Sequence, residues 1–86
     1  MDPRARQMTN FLRQHVLSNP GVQLDEDTPL VSSGLVDSFA LVDVLLELEQ
    51  VTNYRIPTGR VSPEDMDTVR KMLETAERVG KPRGTT

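Results

Sequence analysis

The run GLVDSFALVDVLLELEQ, Gly34 to Gln50, decides the fold that this sequence predicts. A glycine and an Asp-Ser pair precede a long apolar segment that holds no proline or further glycine. Asp37 or Ser38 can cap a helix here, because a short side-chain oxygen accepts a hydrogen bond from an unpaired backbone N–H. The pattern therefore predicts a helix from about Ser38 to Thr52.

This predicted helix is apolar on two sides. One apolar stripe consists of Phe39, Val42 and Leu46. A second, broader stripe consists of Leu41, Val44, Leu45 and Leu48. A small bundle needs one stripe for its core, which leaves the other near the surface beside Asp43 and Glu47. An apolar patch with a charged rim usually marks a docking surface. The alternative is that the long loop before the helix and the segment after it cover both stripes.

The rest of the chain predicts two further main helices and a short one. The first, from Pro3 to about Ser18, places Met8, Phe11, Leu12 and His15 on one face, and Asn19-Pro20-Gly21 ends it. Ser62-Pro63 begins a short helix, and Asp67-Thr68 begins the last one, whose apolar positions are Val69, Met72, Leu73, Ala76 and Val79. The fold class is all-α: a four-helix bundle over residues 1–80 with a disordered tail at 81–86.

The long first loop, residues 22–34, lacks a helical period. Loops of this length in compact domains are functional or are held by their own apolar residues. We expect five apolar side chains to hold this one against the core: Val22, Leu24, Leu30, Val31 and Leu35. The last main helix should pack against the first helix and against the broader stripe of the second.

Charge is distributed unevenly along the chain. The net charge is −3, and residues 14–54 contain no Lys or Arg. Such a field repels nucleic acid and anionic membranes and attracts basic protein surfaces. There is no cysteine, no apolar run of transmembrane length and no apolar stretch typical of a signal peptide. We therefore expect a cytoplasmic monomer that binds neither nucleic acid nor membrane.

No catalytic or metal-binding pattern emerges. Counted from Asp25, the acidic loop places Leu30 and Val36 where a calcium-binding EF-hand needs Gly and Glu. His15 is the single histidine and is expected on the core side of the first helix, so neither a catalytic triad nor a zinc site is indicated. The sequence predicts a protein that is not an enzyme and holds no metal.

Together these features resemble the acyl and peptidyl carrier proteins. GLVDSFALVDVLLELEQVTNYRIP is similar to the family's Asp-Ser-Leu signature and second helix, including the spacing from the serine to Ile56-Pro57. TPLVSSGLVDS resembles the loop before the signature, and SPEDMDTVRKMLE resembles the short third helix and the start of the fourth. The resemblance covers roughly residues 11–79 and implies the family's four-helix fold.

The resemblance also implies a function. Ser38 would carry a covalent 4′-phosphopantetheine arm derived from coenzyme A, with Asp37 as its neighbour in the signature. A phosphate at a helix N-terminus is favoured by the unpaired N–H groups and the helix dipole there. The implied docking face for partner enzymes comprises Phe39, Val42, Asp43, Leu46 and Glu47. The implied partners are a phosphopantetheinyl transferase, an acyl- or aminoacyl-activating ligase, and a downstream acyl-transfer or condensing enzyme.

Two departures from the family signature favour one branch of the family. Phe39 stands where Leu is usual, and Ala40 stands where fatty-acid carriers commonly have an acid. The pattern is closer to freestanding aminoacyl carriers, the D-alanyl type among them, so the expected cargo is aminoacyl rather than fatty acyl. The alternative function is a protein-interaction module of the same fold in which Ser38 stays unmodified.

Overall fold

Three α-helices pack pairwise around one core in the computed structural model, which describes residues 2–16 and 23–82. They are α1 (Pro3–Phe11), α2 (Ala40–Thr52) and α3 (Val69–Val79). The small helical bundle predicted from the sequence is confirmed. None of the helices in the described ranges combines the length and the apolar character needed to cross a membrane.

The first helix ends differently from the prediction. Asp2 caps α1 through a 2.8 Å hydrogen bond from the Arg4 N–H, and a π-helical turn, Leu12–Val16, follows the helix. His15 is exposed and stacks on Phe11 with ring centroids 5.3 Å apart, so its expected place on the core side was wrong. The wider π turn rotates the chain less per residue, which moves position 15 off the apolar face. The predicted end of this helix, at 17–21, lies outside the described residues.

The predicted short third helix is a 3₁₀ helix at Pro63–Met66. Ser62 begins it, and Asp65 Oδ2 accepts hydrogen bonds from the Ser62 N–H and hydroxyl at 3.0 and 3.2 Å. A further 3₁₀ turn, Thr58–Arg60, precedes it. Thr68 then caps α3 through a 3.0 Å hydrogen bond from the Lys71 N–H. The local cap residues thus position both elements as the sequence indicates.

A two-stranded antiparallel ribbon was not expected. After Asn53 ends α2 in the left-handed conformation, β1 (Tyr54–Arg55) pairs with β2 (Lys81–Pro82). The predicted disordered tail at 81–86 is therefore wrong for its first two residues, and residues 83–86 lie outside the described part of the chain. Strands of two residues offer no periodicity from which they could be recognised.

The core contains the predicted faces of all three helices. The last helix contributes Val69, Met72, Leu73 and Ala76, and the side chains buried opposite them include Met8, Leu12, Val44 and Leu48. Leu41 and Leu45 pack against this core while staying partly accessible. The broader stripe of α2 therefore faces inward, and the stripe that begins at Phe39 faces away from the bundle.

Candidate attachment and docking site

Ser38 lies in the turn that leads into α2, and its side chain is exposed. Asp37 provides the cap: its Oδ1 accepts a 2.8 Å hydrogen bond from the Ala40 N–H, and its carbonyl oxygen accepts one from the Leu41 N–H at 3.3 Å. Within residues 2–16 and 23–82, the Ser38 hydroxyl makes no hydrogen bond. Because Asp37 accepts this bond from the Ala40 N–H, the Ser38 hydroxyl is left without a partner in the described structure.

The start of α2 also presents unpaired donors. The backbone N–H groups of Ser38 and Phe39 find no acceptor in the part of the chain that the structure describes. Orphan N–H groups at a helix N-terminus form a ready site for an anion, and the helix dipole adds to the attraction. The residues present therefore fit a phosphodiester attached to Ser38.

The loop before Ser38 is held by buried apolar residues. Leu30 and Val36 are almost fully buried, and the Val36 N–H donates to the Leu30 carbonyl oxygen at 2.9 Å. Gly34 closes the turn between them with φ +83°, a conformation that favours glycine. The expected role of Leu30 in holding the loop is confirmed. Leu35 was expected to be buried too, but it is exposed because Val36 occupies the inward position.

Of the other apolar residues expected to hold this loop, Leu24 packs partly against the core. Val31 is only half-buried, and Val22 lies outside the described residues.

Asp67 anchors this loop, which the sequence did not reveal. Its Oδ1 accepts hydrogen bonds from the N–H groups of Leu30, Val31 and Ser32 at 3.1, 2.8 and 2.9 Å, and its Oδ2 accepts one from the Ser32 hydroxyl at 2.9 Å. The Ser32 N–H contributes most to holding the pKa of Asp67 below its ordinary value; partial desolvation opposes this, and the remaining hydrogen bonds add to it. The local sequence at Asp67 indicates only a helix start, because the partners of its carboxylate lie 35 to 37 residues earlier in the chain.

The acidic loop at 25–27 is paired internally. Arg70 donates from Nε to Asp27 Oδ1 at 2.7 Å and from Nη2 to Asp27 Oδ2 at 3.1 Å, and it also lies 3.4 Å from Glu26. The hydrogen bond from Arg70 lowers the pKa of Asp27. Asp25 accepts from the Asp27 N–H at 2.8 Å, which closes the turn. In the described ranges no cluster of three or more potential metal ligands occurs.

The second stripe of α2 is exposed as a continuous apolar surface. Phe39, Val42 and Leu46 are 90%, 62% and 55% exposed, and Leu35 extends the stripe into the preceding loop. The alternative that both stripes are covered is therefore wrong for the described residues. Asp43 is exposed and Glu47 half-buried, and neither forms an ion pair in the part of the chain described. The expected docking residues thus lie together beside Ser38, although their role stays a prediction.

An apolar groove of about 230 Å³ begins at Ser38. Leu41, Val42 and Leu45 of α2 form one wall, and the second wall comes from the 3₁₀ region, with Val61 and Met66. This groove and the exposed stripe share Val42, so the two surfaces meet beside the serine.

Known proteins with a similar sequence are named as carrier proteins. The chain is 32% identical over 54 residues to the D-alanyl carrier protein of Streptococcus equi subsp. zooepidemicus, and 33% identical over 54 residues to that of Streptococcus pyogenes serotype M1. Each match covers 63% of this chain and 66% of the relative, just under two thirds of its length. Over this stretch the chain is similar to carrier proteins of the D-alanyl type. No protein-family model and no solved structure matches the chain.

Proposed function

We propose that this protein is a carrier that holds an aminoacyl group as a thioester on a 4′-phosphopantetheine arm attached to Ser38. The observation that carries the proposal is the exposed Ser38 hydroxyl, which makes no hydrogen bond in the described part of the chain and lies beside the unpaired N–H groups at the start of α2. A nucleophilic oxygen and an anion-binding helix start in one turn are what attachment of a phosphodiester requires.

Ser38 would react with coenzyme A on a phosphopantetheinyl transferase. Its Oγ attacks the phosphorus that bears the pantetheine, an Oγ–P bond forms, and the P–O bond of the pyrophosphate breaks. Adenosine 3′,5′-bisphosphate leaves, and a base on the transferase takes the serine proton. The N–H groups of Ser38 and Phe39 would be available to hold the phosphodiester, and Asp37 keeps the turn fixed by its bond to Ala40. The attached arm supplies a terminal thiol that holds the cargo.

Partner enzymes would dock on the exposed stripe of α2. Phe39, Val42 and Leu46 offer apolar area next to the serine, and Asp43 and Glu47 offer negative charge without an internal cation in the described residues. Charge of this kind accelerates association with a basic surface, while buried apolar contacts prolong the complex. The proposed partners are the transferase, an aminoacyl-activating ligase and a downstream acyl-transfer or condensing enzyme.

The names of the relatives and the sequence around Ser38 favour an aminoacyl cargo. Both relatives are named D-alanyl carrier proteins. Ala40 stands where fatty-acid carriers commonly have an acid, which agrees with an aminoacyl cargo. We therefore include D-alanine as the first cargo to test.

Intact-mass measurement tests the proposal. The protein is incubated with coenzyme A and a broad-specificity transferase, and then with ATP, D-alanine and a D-alanine-activating ligase. One phosphopantetheinyl addition followed by one alanyl addition is expected, and Ser38→Ala should gain neither. An unmodified wild type would favour the interaction module with a free Ser38. Modification without alanyl loading, but with loading by a fatty-acyl ligase, would overturn the aminoacyl cargo alone.

A further inference from the structure

We propose that Asp67 is a positioning residue for the modification of Ser38. The inference rests on the proposed function, because it concerns how the serine is presented to the transferase. Asp67 lies before α3, more than thirty residues after the loop it binds, and it does not touch Ser38 in the described structure. It acts through the backbone between Leu30 and Asp37.

The carboxylate binds three consecutive backbone N–H groups, those of Leu30, Val31 and Ser32, within 3.1 Å. Its second oxygen binds the Ser32 hydroxyl at 2.9 Å, and the Asp67 carbonyl oxygen accepts a further bond from the Leu30 N–H at 2.7 Å. Successive N–H groups that converge on one anion form a backbone nest. One side chain therefore fixes the start of the loop.

This fixed segment continues to the serine through two short turns. The Gly34 N–H donates to the Val31 carbonyl at 3.1 Å, and the Val36 N–H donates to the Leu30 carbonyl at 2.9 Å. Both carbonyls belong to residues whose N–H groups Asp67 holds. Asp37 follows Val36 directly and caps α2. The position of Ser38 thus depends on the loop that Asp67 anchors.

Asp67 is not needed to begin α3. Thr68 already caps that helix through the Lys71 N–H, and no hydrogen bond from the N–H groups of α3 to the Asp67 carboxylate occurs in the described structure. The Asp67 side chain is directed entirely at the loop. Loss of this carboxylate should therefore disturb the serine turn more than the helix that follows it.

The experiment compares Asp67→Ala and Asp67→Asn with a matched control, Asp65→Ala. Asp65 is a nearby carboxylate that also accepts backbone and hydroxyl hydrogen bonds, but its partners are Ser62 and Arg78, and it does not bind the loop from Leu30 to Ser32. Rates of modification by coenzyme A and the transferase are measured for each variant, together with hydrogen exchange at Val31, Ser32 and Val36.

Asp67→Ala should lower kcat/KM for modification roughly tenfold, because misplacing a reacting group by about 1 Å costs this much or more. The loss should appear in kcat rather than in KM, since the docking stripe is unchanged. Exchange at the three loop amides should accelerate. Asp67→Asn keeps the oxygen that binds the three N–H groups, so it should restore most of the rate. Asp65→Ala should be modified as fast as the wild type.

Equal modification rates for the wild type and Asp67→Ala would overturn the inference while leaving the proposed function intact. An equal loss in Asp65→Ala would also overturn it, since general destabilisation would then explain both. If Asp67→Ala does not fold, Asp67→Glu decides: it keeps the charge but displaces the carboxylate by one methylene from the N–H groups of Leu30, Val31 and Ser32, so an unchanged rate contradicts a positioning role. A wild type that is never modified overturns the proposed function, and the positioning role falls with it.

Discussion

Arg70 holds Asp27 in a two-point ion pair, with Nε 2.7 Å from Oδ1 and Nη2 3.1 Å from Oδ2. The negative charge of the acidic loop is therefore paired with Arg70 of α3, within the same molecule. Asp43 and Glu47 on α2 have no such cation among the described residues. The two acidic regions of the protein therefore differ in the charge that they offer to a partner, which leads to the first prediction.

Reversing Asp43 and Glu47 to Lys should slow loading by the cognate ligase, because these charges steer a basic partner toward α2. Rising salt should slow the wild type more than the variant, since the Debye length is only about 8 Å at physiological ionic strength. Stopped-flow association rates over a salt series measure both effects. Reversal of Glu64 and Glu74, two exposed acids on other elements, gives the same change in net charge and should leave the rate near that of the wild type. Equal slowing by both pairs would contradict a local docking role.

Leu46 and Leu48 lie on the same helix and differ in burial, which separates docking from stability. Leu48 is fully buried, so Leu48→Ala should lower the free energy of unfolding by about 2–5 kcal/mol. Leu46 is 55% exposed, so Leu46→Ala should cost little stability and should instead raise the dissociation rate of partner enzymes. Urea unfolding and surface-binding kinetics measure the two quantities. Similar stability losses in both variants would show that the exposed stripe also supports the bundle.

The free energy of unfolding should decrease in acid as a defined set of carboxylates becomes protonated. Hydrogen bonds and nearby cations lower the pKa of four aspartates in the folded protein: Asp2, Asp27, Asp65 and Asp67. A lowered pKa contributes stability that is present above the unfolded pKa, about 3.9, and is lost as pH falls through the folded value. The free energy of unfolding should therefore decrease below about pH 4.

Urea unfolding of the wild type and of Asp67→Asn from pH 7 to pH 2.5 measures this contribution. The variant cannot titrate at position 67, so its stability should depend less steeply on pH in acid. The gap between the two proteins should accordingly narrow as the pH falls. A gap that stays constant from neutral to acid pH would show that the charge of Asp67 contributes nothing.

Gly80 should not tolerate a larger side chain. A Cβ at this position would collide with the Ala76 carbonyl oxygen and would come within 3.0 Å of the Tyr54 Cβ. Gly80→Ala should therefore destabilise the protein by about 1–3 kcal/mol, the usual cost of overpacking. Gly59→Ala is the matched control, because a Cβ there meets no atom within 4 Å. Thermal unfolding of both variants tests the difference, and equal midpoints would refute the close contact between α3 and β1.

Local signals made the helical part of this fold predictable. The apolar spacing of α3 and the caps at Ser62 and Thr68 act over one or two turns, so the sequence around each residue determines them. The same holds for the start of α2, where the serine, its capping neighbour and the exposed stripe follow one another in the sequence. Their positions could therefore be predicted from local signals as well.

The remaining features depend on partners that are distant in the chain. Asp67 binds N–H groups 35 to 37 residues earlier, and the strand at Lys81–Pro82 exists only because Tyr54–Arg55 lies beside it. The π-helical turn at Leu12–Val16 exposes His15 where the sequence predicts an α-helical turn. The apolar spacing of these residues does not distinguish the two kinds of turn. Such features follow from tertiary contacts, which a periodicity in the sequence does not encode.

The separation between Asp67 and its loop partners also has a consequence for folding order. Contacts between distant residues form late, because the chain between them must first be closed into a loop. During synthesis from the N-terminus, the Ser38 segment emerges from the ribosome well before the carboxylate that steadies it. We therefore expect nascent chains that end before residue 67 to be poor transferase substrates. Modification would then be confined to chains whose last helix has been synthesised, and coenzyme A would not be consumed on incomplete chains.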